Sequence, residues 1–350
     1  MDNSNCLDLI QLFYFLCYFG ETLQRKKMDL YQNMNMTPKF SGHDTFPLRY
    51  GWLHKAVNLL SYKGNSEKST DEIVRDAIVT LGVGRNMVNA IRYWAEMADV
   101  LQSSPDSSSR SALSVSPLGD FLFNEDAKNG NVDPYLEKKA SIWLLHYRIN
   151  ANNSVLTSYR YFFNYCNFQS FEKTKLIDEI MTSTIALTGM EAGKQTTVKK
   201  DVDCFLHTYI KKGQSKTIIN EDHFSSPLSE LGLITESSSG YFVSELGERK
   251  TLPAEIFAYA LCDFIKKENI DSGVNTMDFD SLLSKPGSPG RVFRLSEQGL
   301  SHKLDEASLL EEGLISWQDS LGLRQILVNE KVKQQPELFL EMYYGNEYAY

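Results

Sequence analysis

The segment from Ser69 to Phe123 constrains the fold of this chain most, because it contains two helical patterns separated by glycines. Ser69 and Glu72 form an S-x-x-E capping box, which starts a helix by satisfying its free N–H groups. The glycines of Gly82-Val83-Gly84 tolerate a positive φ and break this helix. A second helix is predicted at once, with an apolar stripe formed by Met87, Ile91, Trp94, Ala98 and Leu101.

Two helices joined by a short glycine-containing turn are typical of a helix-turn-helix. The polar segment 103–111 then leads to Leu113 and Val115, which alternate like a strand. This pattern predicts a β-hairpin wing after the second helix. The segment as a whole is therefore interpreted as a winged helix-turn-helix.

The polar face of the second helix is suited to reading DNA. Arginine can bond guanine bidentately in the major groove, and asparagine can do the same to adenine. In a helix-turn-helix the N-terminal residues of the second helix meet the base edges. The predicted DNA contacts here are Arg85, Asn86, Asn89, Arg92 and Tyr93. An ordinary solvated helix pair, or a winged helix that binds protein, is the alternative.

The formal net charge of −9 means that any DNA surface must be local. Between Lys194 and Lys216 lysines outnumber aspartates, and Lys199 and Lys200 face away from the apolar stripe of a predicted helix. A Pro/Gly-rich turn also precedes a helix start with Arg291 and Arg294. We expect these four basic residues to contact phosphates rather than bases.

Several other classes of protein are not supported by the sequence. The five cysteines are scattered without a C-x-x-C pair, which favours reduced thiols in the cytoplasm and predicts no metal site. The apolar run 7–19 is too short to span a membrane and makes a poor signal peptide. Neither a P-loop, a dinucleotide-binding loop nor a nucleophile elbow is present.

No catalytic group can be assigned, although nuclease chemistry has weak candidates. His43 and Asp44 lie in a predicted polar loop, and Asp133 and Glu137 stand four apart on a predicted helix. Asp201 and Asp203 would point to nearly opposite sides of their helix and cannot share an ion unaided. If the protein nicks DNA, the cofactor would be a divalent Mg²⁺ or Mn²⁺ ion; otherwise the cofactor is unknown.

The expected fold is mainly α with small β-hairpins near Leu113, Tyr241 and Arg324. An N-terminal winged helix-turn-helix is followed by helical and winged-helix-like modules. The expected divisions are an N-terminal segment that does not fit the pattern, the winged helix-turn-helix domain, a helical middle domain and a C-terminal helical or winged-helix-like region, at residues 1–35, 36–123, 133–190 and 194–331.

Particular motifs resemble a bacterial family encoded in DNA phosphorothioation systems. The motifs are Gly42-His43-Asp44-Thr45-Phe46-Pro47-Leu48-Arg49, Gly51-Trp52-Leu53, Asp76-Ala77-Ile78, Leu81-Gly82-Val83-Gly84-Arg85-Asn86-Met87-Val88, Ala90-Ile91-Arg92-Tyr93-Trp94, Asp133-Pro134-Tyr135-Leu136-Glu137, Trp143-Leu144-Leu145-His146 and Lys200-Asp201-Val202-Asp203. The resemblance runs from about Phe40 to Val328.

This resemblance implies a role in replacing a non-bridging phosphate oxygen of DNA by sulfur. It also implies double-stranded DNA, a cysteine desulfurase, an ATPase and a PAPS-reductase-like enzyme as partners, and a nickase activity that opens the backbone. No family catalytic motif maps onto the residues of this chain. A non-catalytic adaptor that recruits the sulfur-transfer enzymes and a winged-helix transcription regulator therefore remain alternatives.

Overall fold

A computed structural model describes residues 36–61, 70–103, 113–128, 130–151, 154–211, 225–269, 273–320 and 323–345. The predicted capping residue Ser69, the segment 1–35 and most of the polar segment 103–111 lie outside these ranges. The described chain is mainly helical, as the sequence predicts.

The helices before residue 210 carry the predicted winged helix and the middle region. They are α1 (Trp52–Ser61), α2 (Thr70–Leu81), α3 (Arg85–Met97), α4 (Pro117–Phe123), α5 (Lys139–Ala151), α6 (Ser158–Asn164), α7 (Lys173–Thr188) and α8 (Gln195–Tyr209). The later helices are a 3-10 helix (Pro227–Leu231), α9 (Ala254–Glu268), α10 (Phe279–Ser284), α11 (Pro289–Val292), α12 (Glu297–Ser308), α13 (Glu330–Gln334) and α14 (Leu338–Tyr344).

The strands are short, and in the described ranges they form sheets of two or three. They are β1 (Thr37–Pro38), β2 (Leu101–Ser103), β3 (Leu113–Val115), β4 (Val155–Leu156), β5 (Ser170–Glu172), β6 (Thr235–Ser238), β7 (Tyr241–Val243), β8 (Thr276–Asp278), β9 (Ile315–Ser320) and β10 (Leu323–Val328). The pairs β2–β3, β6–β7 and β9–β10 are antiparallel and confirm the three predicted hairpins. A strand from elsewhere extends two of them, in the orders β5-β7-β6 and β8-β10-β9.

The winged helix has the predicted order α2, turn, α3, β2, β3. Only Gly82 uses the left-handed region, with φ +63°, whereas Gly84 precedes α3 in an extended conformation with φ −69°. The helix α3 ends at Met97, so Leu101 belongs to the wing and not to the helix, and it pairs with Val115. The prediction that this residue continues the helical stripe is wrong.

The buried face of α3 joins the winged helix to the helical body. Trp94 is almost fully buried, and its ring meets Tyr159 of α6 edge-on at 5.3 Å between centroids. Tyr159 in turn packs against Phe205 of α8 at 5.2 Å. One hydrophobic cluster runs from Met36 to Leu340. The orientation of α3 is therefore set by packing against the body as well as by its own turn.

A second contact between the winged helix and the helical body lies at the end of α3. Asp99 forms an ion pair with Arg148 of α5 at 2.7 Å, and its backbone has a φ of +53°. The hydroxyl of Tyr259 in α9 accepts a hydrogen bond from the same guanidinium at 3.0 Å. Burial raises the pKa of Asp99, and Arg148 opposes this by stabilising the carboxylate.

His146 is a core residue of α5. It is fully buried, its Nδ1 accepts from the Tyr209 hydroxyl at 2.8 Å, and its Nε2 donates to the Val292 carbonyl at 2.8 Å. Burial lowers the pKa of His146 to about 3, although the Val292 carbonyl acts in the opposite direction. The imidazole is therefore neutral in the native protein at neutral pH.

This burial predicts a pH dependence of folding. Below pH 6.5 the unfolded chain protonates His146 and the native protein does not, so stability falls as the pH falls. Between pH 7 and 5 the group should remove about 2 kcal/mol from the free energy of unfolding. His146→Gln, which keeps a donor for Val292, should lack this part of the slope in urea titrations. Equal slopes for the two proteins would contradict the assignment.

Candidate nucleic-acid interface

The loop between β1 and α1 is fixed by a buried hydrogen bond to a distant helix. The Nε2 of His43 donates to Oδ1 of Asp201 in α8 at 2.7 Å, and both side chains are buried. The other carboxylate oxygen, Oδ2, accepts from the backbone N–H of Ser158 at the start of α6, at 2.8 Å. Asp201 therefore joins the loop, α6 and α8 at one point.

The hydrogen bonds also define the tautomer of His43. The backbone N–H of Thr45 donates to Nδ1 at 3.0 Å, which requires a lone pair on that nitrogen. Burial is the largest single influence and lowers the pKa of His43, but hydrogen bonds and charge at Asp201 and Cys204 together outweigh it and raise the pKa to about 10. This raised pKa favours a second proton on Nδ1, but that proton would face the Thr45 N–H, donor against donor, and we follow the hydrogen-bond geometry. We therefore assign the proton to Nε2 because this state satisfies all three groups.

The backbone next to His43 is strained, and its neighbours hold it in place. Asp44 and Thr45 have φ values of +46° and +66°, in the left-handed region that is unfavourable for side chains other than glycine. Gly42 has φ +120°, and a Cβ there would come within 2.6 Å of the Tyr93 ring. Phe46 ends the turn, with its carbonyl accepting from the Trp94 indole at 3.0 Å.

The start of α3 presents the predicted DNA-reading side chains to solvent. Arg85, Asn86 and Asn89 are exposed, while the next turns are buried on their inner side. Asn89 Nδ2 donates to Asp44 Oδ2 at 3.3 Å, so the strained loop lies directly against this face. Asp44, predicted as a weak catalytic candidate, thus contacts the start of α3.

The other two predicted residues of α3 are less accessible. Arg92 is half-buried, and its Nε donates to Glu96 Oε1 at 3.0 Å. Tyr93 is buried, with its ring edge-on to His43 at 5.6 Å and Lys39 Nζ 5.4 Å from its centroid. Burial raises the pKa of the Tyr93 hydroxyl, which therefore stays neutral. Tyr93 supports the loop and is not placed to meet a base.

The predicted phosphate contacts separate into two groups. Lys199 and Lys200 are exposed on α8, immediately before the buried Asp201 that holds the loop. Arg291 donates to the carbonyls of Asn164 and Cys166 and to the Asn167 side chain.

Arg294 is buried more deeply and lies 5.2 Å from the Phe162 ring. It donates to the Phe168 and Ser244 carbonyls, and burial lowers its pKa to about 10. Both arginine side chains donate to the protein's own backbone carbonyls, so we do not propose them as contacts to DNA phosphates.

The remaining catalytic candidates, Asp133 and Glu137, lie just before the N-terminus of α5. The expectation of a helix from Asp133 is wrong, because α5 begins at Lys139. Asp133 is buried and accepts from the backbone N–H groups of Glu137 and Lys138 at 2.8 and 3.0 Å. Glu137 is exposed. The Asp133 carboxylate therefore closes the turn before α5 and does not share a helical face with Glu137.

Sequence reasoning missed the partner of His43. The two residues of the hydrogen bond are 158 positions apart, and no local spacing connects them. Lys200-Asp201-Val202-Asp203 was noted as a motif, but its pattern indicated only that the two carboxylates diverge. The structure agrees, because Asp201 is buried while Asp203 pairs with Lys173 at the surface at 2.9 Å.

The described ranges can be compared with the sequence for metal ligands and for membrane-spanning helices. No three His, Cys, Asp or Glu side chains converge there as ligands for a metal ion. None of the helices in these ranges has the length and apolar content of a membrane-spanning helix.

The fold and the site define a winged helix-turn-helix protein with a large helical body. The chain matches the family model described as "Protein of unknown function (DUF4007)" over residues 40–344, and it belongs to that family. No curated protein sequence matches it.

Solved structures extend this comparison. The chain is similar to an SspB crystal structure at 27% identity, covering 89% of each chain with a TM-score of 0.74. It is also similar to a magnesium ion-bound SspB crystal structure at 27% identity, covering 91% of this chain and 90% of that chain, with a TM-score of 0.73. This similarity confirms the family resemblance found in the motifs.

The hydrogen bonds of Asp201 predict that its buried carboxylate contributes more to the free energy of unfolding than an exposed carboxylate does. Asp201→Asn can still accept from His43, but its amide then places a donor against the Ser158 N–H. We expect a loss of about 2–4 kcal/mol in the free energy of unfolding, measured by urea titration. Asp203→Asn on the same helix is the control, and its exposed ion pair should contribute about 0–1 kcal/mol. Equal losses in the two variants would contradict the structural role of Asp201.

Proposed function

We propose that this protein is a cytoplasmic, sequence-recognising DNA-binding component of a bacterial DNA phosphorothioation system. The motif resemblance and the similarity to SspB support its assignment to such a system. The proposed partners are double-stranded DNA and the cysteine desulfurase, ATPase and PAPS-reductase-like enzyme that the family resemblance implies.

The exposed start of α3 is the observation that supports DNA binding most directly. Arg85, Asn86 and Asn89 are exposed there, and no acidic residue occurs between Arg85 and Ala95. Gly84 precedes the helix and has no side chain to cap the first N–H groups. Helix N-termini with open N–H groups attract phosphate, and the arginine and asparagine side chains can read bases.

The lysines of α8 give this surface a second part. Lys199 and Lys200 are exposed, and the next residue, Asp201, is bonded to the loop that touches Asn89. The protein has a net charge of −9, so local positive side chains must supply the attraction to phosphate. We assign base reading to α3 and phosphate positioning to these two lysines.

Nicking of the bound DNA is the second candidate activity. It is favoured by the magnesium ion in the similar SspB structure. Incubation of supercoiled plasmid with the pure protein and Mg²⁺ or Mn²⁺ separates the candidates. Conversion to the open circle supports a nickase and should slow in Arg85→Ala in proportion to its weaker binding. Binding without conversion supports an adaptor that delivers the modification enzymes.

Substitutions on α3 and α8 should affect DNA binding in different ways. If Arg85 makes a bidentate contact, Arg85→Ala should weaken binding by about 1–3 kcal/mol and relax the preference at one base pair. Lys199→Ala should weaken binding to all sequences and reduce the salt slope by about one.

Fluorescence anisotropy across a salt series measures both effects. Lys250→Ala, at an exposed lysine on neither α3 nor α8, is the control and should bind like the parent protein. If Arg85→Ala and Asn89→Ala both bind like the parent, the winged helix is a protein-interaction module and the proposal is wrong.

A further inference from the structure

The contact between Asp44 and Asn89 fixes which way the asparagine amide faces. A carboxylate only accepts hydrogen bonds, so the group that meets Asp44 Oδ2 at 3.3 Å must be the NH₂ of Asn89. One of its two N–H donors is thereby occupied. The second N–H and Oδ1 remain for a ligand, because both side chains are exposed.

This leaves Asn89 with one donor and one acceptor, a pair that distinguishes the two purines. Adenine offers an N7 acceptor and an N6 donor in the major groove, which match the remaining N–H and Oδ1. Guanine offers two acceptors, N7 and O6, so one of them would face Oδ1. Without Asp44 the amide could rotate and direct both N–H groups toward guanine.

The loop is built to keep Asp44 in this place. Its φ of +46° is unfavourable, and it persists because the adjacent His43 is held by Asp201 on one side and by the Thr45 N–H on the other. The carboxylate reaches α3 from outside the helix-turn-helix, across 45 positions of sequence. A side chain placed on a rigid support orients its partner with little loss of entropy on binding.

We propose that Asp44 is a positioning residue that orients the Asn89 amide and makes the recognition helix prefer adenine over guanine at one base pair. The proposal rests on the proposed DNA-binding function and deepens it. Asp44 itself contributes no attraction to DNA, because its negative charge repels phosphate.

The test begins with duplexes selected from a randomised library by the full-length protein. Asn89→Ala identifies the base pair that Asn89 reads, as the position whose preference disappears. Affinities are then measured for duplexes with A·T or G·C at this pair. Asp44→Ala should reduce the adenine preference by about three- to tenfold, in line with the modest contribution of ordering one side chain. The same substitution in the Asn89→Ala background should change the preference no further.

Two further variants separate orientation from folding and from charge. Asp44→Asn suits the left-handed backbone, but its amide can turn either way, so it should also lower the adenine preference. Asp203→Asn removes one negative charge beside the α8 lysines and should leave the preference unchanged. Near-ultraviolet circular dichroism checks that each variant is folded.

The outcomes distinguish this inference from the proposed function. If Asn89→Ala loses the preference while both Asp44 variants keep it, Asp44 does not orient the amide and the inference is wrong. If Arg85→Ala relaxes specificity but Asn89→Ala does not, DNA binding stands and the inference is again wrong. If the parent protein selects no duplex from the library, the proposed function itself fails.

Discussion

The hydrogen bond between His43 and Asp201 is the interaction on which the candidate site depends. The bond is buried, and the other imidazole nitrogen and the other carboxylate oxygen accept from the backbone N–H groups of Thr45 and Ser158. Together these hydrogen bonds join a loop near the start of the described chain to two helices of the body. A buried network of this kind is stabilising only when every member is satisfied. The neutral imidazole with its proton on Nε2 meets this condition, and the strained turn at Asp44 is held as a result.

The helix α3 is supported from three sides, by the helical body and by the loop between β1 and α1. Its aromatic face packs on α6 through Trp94, its end is tied to α5 by the Asp99–Arg148 ion pair, and its exposed face meets the loop at Asn89. A winged helix in a small regulator is held mainly by its own core. Here the core of α2 and α3 is small, and the body fixes the direction of α3.

Local structure could be predicted from the sequence because its signals are local. The Gly82 break, the apolar stripe of α3 and the three hairpins follow from glycine conformation and from periodicities of three to four or of two residues. Two long-range features could not be read in this way. Asp201 gave no sign that it binds His43, and Arg294 has the same side chain whether it meets phosphate or a buried carbonyl. The sequence places the start of α5 too early, because Asp133-Pro134 resembles a helix start. The Asp133 carboxylate instead closes a turn before Lys139.

We propose that the start of α3 meets base edges in the major groove. Methylation interference on a selected duplex tests it most directly, because methylation of guanine N7 blocks an arginine contact in that groove. We expect one or more guanines whose methylation prevents binding of the parent protein and is tolerated by Arg85→Ala. An interference pattern that is the same for both proteins would contradict it.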